Sequence, residues 1–306
     1  MQEAPISSSD GRRRAGNVNP VGLLGGLTPR DLYLFDVLEA HRVLTAGQVT
    51  ALLFPSLDRA QRRLLALTQR GVLTRFRGYV RPGSQPWRYT LGYPGVELLA
   101  AAHARRPPSR TAHDLSLTRL ARSRQLDHLL GVNGFFTDLA GHAATQPGAQ
   151  LMTWYSESTT YAVLSERLQI HLRPDGYGRW HDTSGDVGFL LEHDTGSEPL
   201  HRLLDKLNGY DEHHHLGLTV LLHLPSAARE TNLHRQAPLA RRLPVATTAA
   251  DLTTGGHSLA GPVWLPLGDR RRRSLAELAH PGGRTLWDEY RNGTAPPPAP
   301  HLPVVG

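Results

Sequence analysis

The run Val187-Gly-Phe-Leu-Leu-Glu-His-Asp194 most constrains what this chain folds into. Its apolar part, GFLL, is short, lacks helical spacing and suits a buried strand. Two acids then close it. Carboxylates do not stay charged inside an apolar layer without partners, so Glu192 and Asp194 belong at the strand's end. Alternation puts both on one face. LGLTVLLHLP at 216–225 reads as a further strand.

The surrounding pattern supplies the rest of a domain. A long helical stretch runs from about Leu115 to His142, with a break expected near Gly131 to Gly134. QLMTWYSES and LQIHLRPDGYGRW read as two strands, with a turn at HDTSGD before the acidic strand. Thr195-Gly-Ser-Glu198 resembles a capping box and predicts a helix over Glu198 to His213. After 216–225 come a helix near Ala227 to Arg242, a strand at PVWLPL and a short helix at SLAELAH. The order at the centre is helix, strand, strand, strand, helix, strand, an α/β (α+β) arrangement.

Asp175 follows Pro174 on the second of these strands. Pairing of the second and third strands brings it toward Glu192 and Asp194. Three carboxylates so placed repel one another unless a cation compensates, and hard oxygen donors suit Mg²⁺ or Mn²⁺. Glu157, at the end of the first strand, is an additional candidate ligand. Lys206 is the single lysine of the chain; every other one of the 34 basic residues is arginine. On its helix Leu200, Leu203, Leu204 and Leu207 form the apolar stripe, with Lys206 about 110° from the stripe's centre by helical geometry. From that flank its amine can extend toward Glu192 and Asp194, offset their charge and orient or polarise a water. Tyr210, one turn on, reads as packing.

The first third of the chain has a different character. Residues 1–110 carry 16 arginines against 7 acids, the remainder 18 basic residues against 20 acids, giving the net charge of +7. A basic module joined to a near-neutral one suggests a polyanionic partner. Thr28-Pro29 opens a first helix with Leu32, Leu34, Phe35 and Leu38 on its apolar face, and Thr45 caps a second helix, AGQVTALLF. A break at Pro55-Ser56 precedes a third, LDRAQRRLLALTQRG. VLTRFRGYV, a turn at RPGSQP and WRYTLG then make a hairpin. Three short helices and a hairpin are the order of a winged helix-turn-helix. Arg59, Arg62, Arg63 and Arg70 lie largely off the third helix's apolar face, so that helix would enter the major groove of double-stranded DNA. Arg75, Arg77, Arg81 and Arg88 on the hairpin would reach phosphates or the minor groove.

The expected boundaries are a disordered basic N-terminus over 1–26, the winged module over 27–104 and a linker over 105–113. The second domain covers 114–280, and a proline-rich flexible tail 281–306. The absence of cysteine excludes disulfides and thiolate zinc sites. No apolar run is long enough to span a membrane and no secretory signal stands at the N-terminus, so a cytoplasmic protein is expected. No Walker-type or dinucleotide-type glycine loop supports an ATP-driven motor. The histidines of DEHHHLG point different ways on a helix and read as a frayed helix end. GDRRRRSL reads equally as a phosphate contact or a solvated basic turn.

Pro174-Asp175, followed by Glu192-His-Asp194 on this strand order, resembles the PD-(D/E)xK core of restriction-endonuclease-like nucleases. More closely, the sequence is similar to the replication-relaxation family of plasmids and integrated elements in actinobacteria. HLLGVNGFF at 128–136, TWYSE at 153–157, RPDG at 173–176, FLLEHDTGSE at 189–198 and KLNGY at 206–210 carry the likeness, which covers about 28–280. The resemblance implies a DNA-associated role in replication, relaxation or mobilisation. It also implies that Asp175 and Glu192 hold metal and that a lysine serves the attacking water. The nuclease pattern expects lysine two residues after the acid; Asp194 stands there, and Lys206 would be its migrated equivalent. Two readings stay open: a metal-dependent endonuclease that nicks or cleaves DNA, and a non-catalytic replication or transfer regulator on a nuclease-like scaffold. Other plasmid replication or transfer proteins, and a second copy of the chain, are open as partners.

Overall fold

The computed structural model describes residues 25–78, 85–237, 242–253 and 257–278. Most of the expected N-terminal segment, Arg81 and the proline-rich tail lie outside them. The chain divides into two compact units, up to Asn133 and from Gly134.

In the first unit, α1 (Pro29–His41) starts from a capping box. The Thr28 side chain accepts from the Asp31 backbone N–H, and Asp31 accepts in return from the Thr28 N–H at 2.6 Å. The helix stops at Arg42, whose φ of 70° turns the chain into β1 (Leu44–Thr45). Buried Asn133 holds that turn, donating to the carbonyls of His41 (3.1 Å) and Val43 (2.8 Å). Thr45 caps α2 (Ala46–Leu53) and Ser56 caps α3 (Leu57–Gln69), each side chain accepting from the backbone N–H three residues on. β2 (Leu73–Phe76) and β3 (Arg88–Leu91) pair antiparallel, and β1 joins on the other side of β3, giving the order β1-β3-β2. α4 (Tyr93–Ala102) follows. Leu34, Phe35, Val49, Leu64, Leu67 and Leu73 are buried in this unit.

Two helix expectations differ from the structure. α5 (Arg110–Ala121) begins inside the expected linker, because the Ser109 side chain accepts from the Ala112 N–H at 3.2 Å and caps it. The long helix breaks at 122–125, and α6 (Leu126–Ala143) runs unbroken through Gly131 and Gly134. A glycine costs a helix about 1 kcal/mol, which the burial of the neighbouring Val132, Phe135 and Phe136 outweighs. The division between the two compact units falls within α6, between Asn133 and Gly134.

The second unit is a mixed six-stranded sheet ordered β4-β5-β6-β7-β8-β9. The strands are β4 (Gln150–Ser156), β5 (Gly176–Asp182), β6 (Gly185–His193), β7 (Thr219–Leu224), β8 (Val245–Ala249) and β9 (Leu265–Pro266). β6, β7 and β8 are parallel; the outer pairings are antiparallel. A helix not anticipated from the sequence, α7 (Glu157–Arg167), separates β4 from β5. Its buried positions Thr160, Val163 and Leu164 do have helical spacing, but they adjoin the strand-like run that ends β4. Residues 168–175 are therefore a connection, and Asp175 precedes its strand instead of lying on it. β8 was also not anticipated, since its VATTA carries little apolar alternation.

One face of this sheet packs Tyr177, Leu190, Val220 and Leu222 against α7, α8 (Leu200–Asp211) and α9 (Ala227–Gln236). α8 begins after Pro199 with no side-chain cap, so the expected capping box at Thr195 does not form. On the other face Phe136 of α6 stacks on Trp154 and on Phe189, with centroids at 5.2 and 6.0 Å. Trp154, Gly178 and Phe189 lie opposite one another on β4, β5 and β6. Gly178 is required there: a Cβ would stand 2.2 Å from Phe189 and 2.9 Å from Phe136. No described helix is long and apolar enough to cross a membrane. Gly178→Ala should lower stability in urea unfolding by about 1–3 kcal/mol through overpacking; an unchanged midpoint would refute this packing.

Candidate functional site at the end of the acidic strand

Glu192 ends the buried part of β6 and faces α8. One carboxylate oxygen accepts from the Lys206 ammonium and the other from the Tyr210 hydroxyl. Lys206 and Tyr210 are four residues apart, so one helix face presents both donors. The Glu192 side chain is 4 % exposed, whereas Lys206 keeps 38 % of its side chain in solvent. Burial dominates Glu192 and lifts its pKa to about 7, against the charge and hydrogen bond of Lys206 and the Tyr210 hydroxyl, and with help from the Asp175 charge. Burial pulls Lys206 down, but the charges of Glu192 and Asp175 outweigh it and its pKa is raised. Lys206 is thus an ammonium at neutral pH, while Glu192 titrates there. Burial and Glu192 together raise Tyr210, which remains a hydroxyl donor.

Asp175 stands across from Glu192, because the antiparallel register pairs the next residue, Gly176, with Leu191. Its own N–H donates to the Leu191 carbonyl at 2.9 Å, and its carboxylate accepts from the His193 N–H at 2.7 Å. Asp175, Glu192 and Lys206 therefore share one site. Asp194 does not join them. It lies past the strand end, where one oxygen accepts from the Gly196 N–H at 2.7 Å and the other from the Arg229 guanidinium. Arg229 also donates to the Glu198 carbonyl at 2.6 Å. The alternation that put residues 192 and 194 on one face ends with β6 at His193. Glu157 is exposed at the first turn of α7. Among the described residues no group of three or more His, Asp or Glu is arranged to hold a metal ion. The donor chemistry of Asp175 and Glu192, two carboxylates on facing positions, suits a hard cation that also takes water and phosphate oxygens.

Three features were missed from sequence. Tyr210 read as packing, although its spacing from Lys206 was visible. On the opposite sheet face His193 and His223, partners on adjacent strands, bring their Nδ1 atoms to 3.0 Å; burial pushes His223 down to about 4, so it is neutral. Arg272, from the basic run at 270–273, is drawn in to buried Glu230, whose carboxylate also accepts from the Thr247 hydroxyl at 2.6 Å. That pairing unites segments 42 residues apart, and no local pattern reports it.

The first unit's arginines divide in the same way. Arg63 makes a two-pronged ion pair with buried Asp31. Burial acts to raise Asp31, but Arg63 and Thr28 outweigh it and hold its pKa below the usual value. Arg70 donates to the Gly25 carbonyl at 2.7 Å, and buried Arg88 to Asp127 at 2.8 Å. Arg59 and Arg62 are exposed on α3, with Arg62 beside Asp58 one turn back. Arg75 and Arg77 lie over the Trp87 ring.

Glu192 gives the site a pH signature. Its folded pKa of about 7 exceeds its ordinary 4.5, so the stability it contributes is complete below pH 4.5 and lost as pH rises through 7. Urea unfolding should show wild-type stability falling by up to about 3 kcal/mol between pH 5 and 8. Glu192→Gln should abolish most of that dependence; an identical slope in both proteins would contradict the assignment. A second expectation concerns Arg63→Ala, which leaves a buried carboxylate unpaired and should cost about 3 kcal/mol or more of stability.

No curated protein and no solved structure matched the chain. The family model described as Replication-relaxation matches residues 35–219, which run from α1 to the first residue of β7 and include Asp175, Glu192, Lys206 and Tyr210. That membership suggests a role in plasmid replication or relaxation. The chain belongs to the replication-relaxation family.

Proposed function

We propose that this protein binds double-stranded DNA of a plasmid or integrated element through its first unit and hydrolyses a phosphodiester bond at the Asp175–Glu192–Lys206 site. The observation that carries the reading is the Lys206 ammonium on the Glu192 carboxylate with Asp175 across from it. This is the acid–acid–lysine set of a PD-(D/E)xK nuclease, with the lysine supplied by α8 instead of the strand. The helix order and hairpin of the first unit support a winged helix-turn-helix, with exposed Arg59 and Arg62 on the groove-facing helix.

Asp175 and Glu192 would hold Mg²⁺ or Mn²⁺. Such an ion, when bound, neutralises phosphoryl charge and acidifies a water. The chain's own groups do the rest. Tyr210 fixes Glu192 in one orientation. Lys206, on the flank of α8 with 38 % of its side chain in solvent, places a positive charge beside the two carboxylates. There it orients a water or steadies a phosphate oxygen.

A second reading is favoured by Asp194, which Arg229 holds away from the site. With two carboxylates left, the same unit would serve as a scaffold in a non-catalytic replication or transfer regulator. Incubation of supercoiled plasmid with Mg²⁺ or Mn²⁺ separates the two. Nicking that drops at least about 100-fold in Asp175→Ala and Glu192→Ala supports hydrolysis, and Lys206→Arg should also lose most activity. Absence of nicking by the wild type on its own element's DNA, or equal nicking by the acid variants, rejects it. Arg59→Ala with Arg62→Ala should weaken duplex binding about tenfold at low salt; unchanged affinity removes α3 from the interface.

A further inference from the structure

The hairpin of the first unit carries a cluster that neither the family nor the acid–lysine site explains. Arg75 pairs with Tyr89 and Phe76 with Arg88, so the next position brings Arg77 opposite Trp87. Residues two apart on a strand share a face; Arg75, Arg77, Trp87 and Tyr89 therefore lie on one side of the hairpin. Arg88 lies on the other, buried and paired with Asp127. The Arg75 and Arg77 guanidinium carbons each stand 4.2 Å from the centroid of the Trp87 ring. No described carboxylate makes an ion pair with either.

Two cations gathered on one ring repel each other. The negative face of the indole offsets part of that repulsion and restricts two otherwise mobile side chains. Their separation cannot exceed twice the distance to the shared centroid, so both cations are held close enough to act on one stretch of phosphate backbone. Ordering a long side chain before binding removes that cost from the binding step. We infer that Trp87 is a positioning residue that holds Arg75 and Arg77 as a preordered clamp for the phosphate backbone of duplex DNA. The inference rests on the DNA-binding reading of the first unit and extends it to a residue whose own side chain carries no charge.

The test uses the full chain and a fluorescein-labelled duplex, titrated by anisotropy at several salt concentrations. Arg75→Ala with Arg77→Ala should reduce the slope of log affinity against log salt by roughly two, one per lost phosphate contact. Trp87→Leu keeps an apolar side chain, though a smaller one, and every charge, yet should weaken binding roughly five- to tenfold, while Trp87→Phe, which keeps a π face, should bind within about twofold of wild type. Circular dichroism and a melting curve check that each variant is folded, and Trp87→Ala provides a second test with the ring removed. Wild-type affinity in Trp87→Leu, alongside weakened binding in Arg59→Ala/Arg62→Ala, overturns the clamp but leaves DNA binding intact. A preference for single strands that disappears in Trp87→Leu assigns the indole to base stacking and also overturns it. No duplex binding by the wild type at low salt rejects the underlying reading itself.

Discussion

The burial of one carboxyl group, that of Glu192, organises the second unit. An acid at the inner end of a covered strand requires compensation, and α8 supplies it through Lys206 and Tyr210. Two donors one turn apart on a single carboxylate fix the rotation of that helix, and with it the position of Leu207 against the sheet. Stability alone does not explain such an arrangement. A buried ion pair is commonly matched or exceeded in stability by apolar side chains of similar volume. Asp175 across from the pair adds to the electrostatic cost and raises Glu192 further. The chain maintains a buried acid whose pKa burial raises beside a lysine that stays charged.

The first unit applies the same physics with the opposite emphasis. Its arginine excess is only partly a surface property. Arg63 neutralises buried Asp31, which in turn caps α1, so one guanidinium joins the third helix to the start of the first. Arg88 is held by Asp127 on its face of the hairpin. Of the arginines expected on α3 and the hairpin, Arg59 and Arg62 are exposed, and Arg75 and Arg77 lie over the Trp87 ring.

Much of this was legible in the sequence, for identifiable reasons. The capping residues Thr28 and Thr45 and the break at Pro55-Ser56 signalled helix starts because capping and proline breaks act locally. The apolar run GFLL with its terminal acid signalled a buried strand, and the flank position of Lys206 on α8 pointed toward Glu192, with which it pairs. Less legible was α7, whose helical spacing adjoins a strand-like run, and β8, whose VATTA lacks apolar contrast. Gly131 and Gly134 suggested a break that packing around α6 overrides.

The sequence by itself determined most of the element types, the charge division between the two parts and the burial of the strand that ends at Glu192, because each follows from interactions within a few residues. Tertiary structure alone decided which charges meet. Asp194 went to Arg229, 35 residues away, Arg272 to Glu230, and Arg63 to Asp31. A charged group pairs with whatever opposite charge the fold brings within hydrogen-bond reach, and that neighbour is set by strand order and helix rotation, not by spacing along the chain.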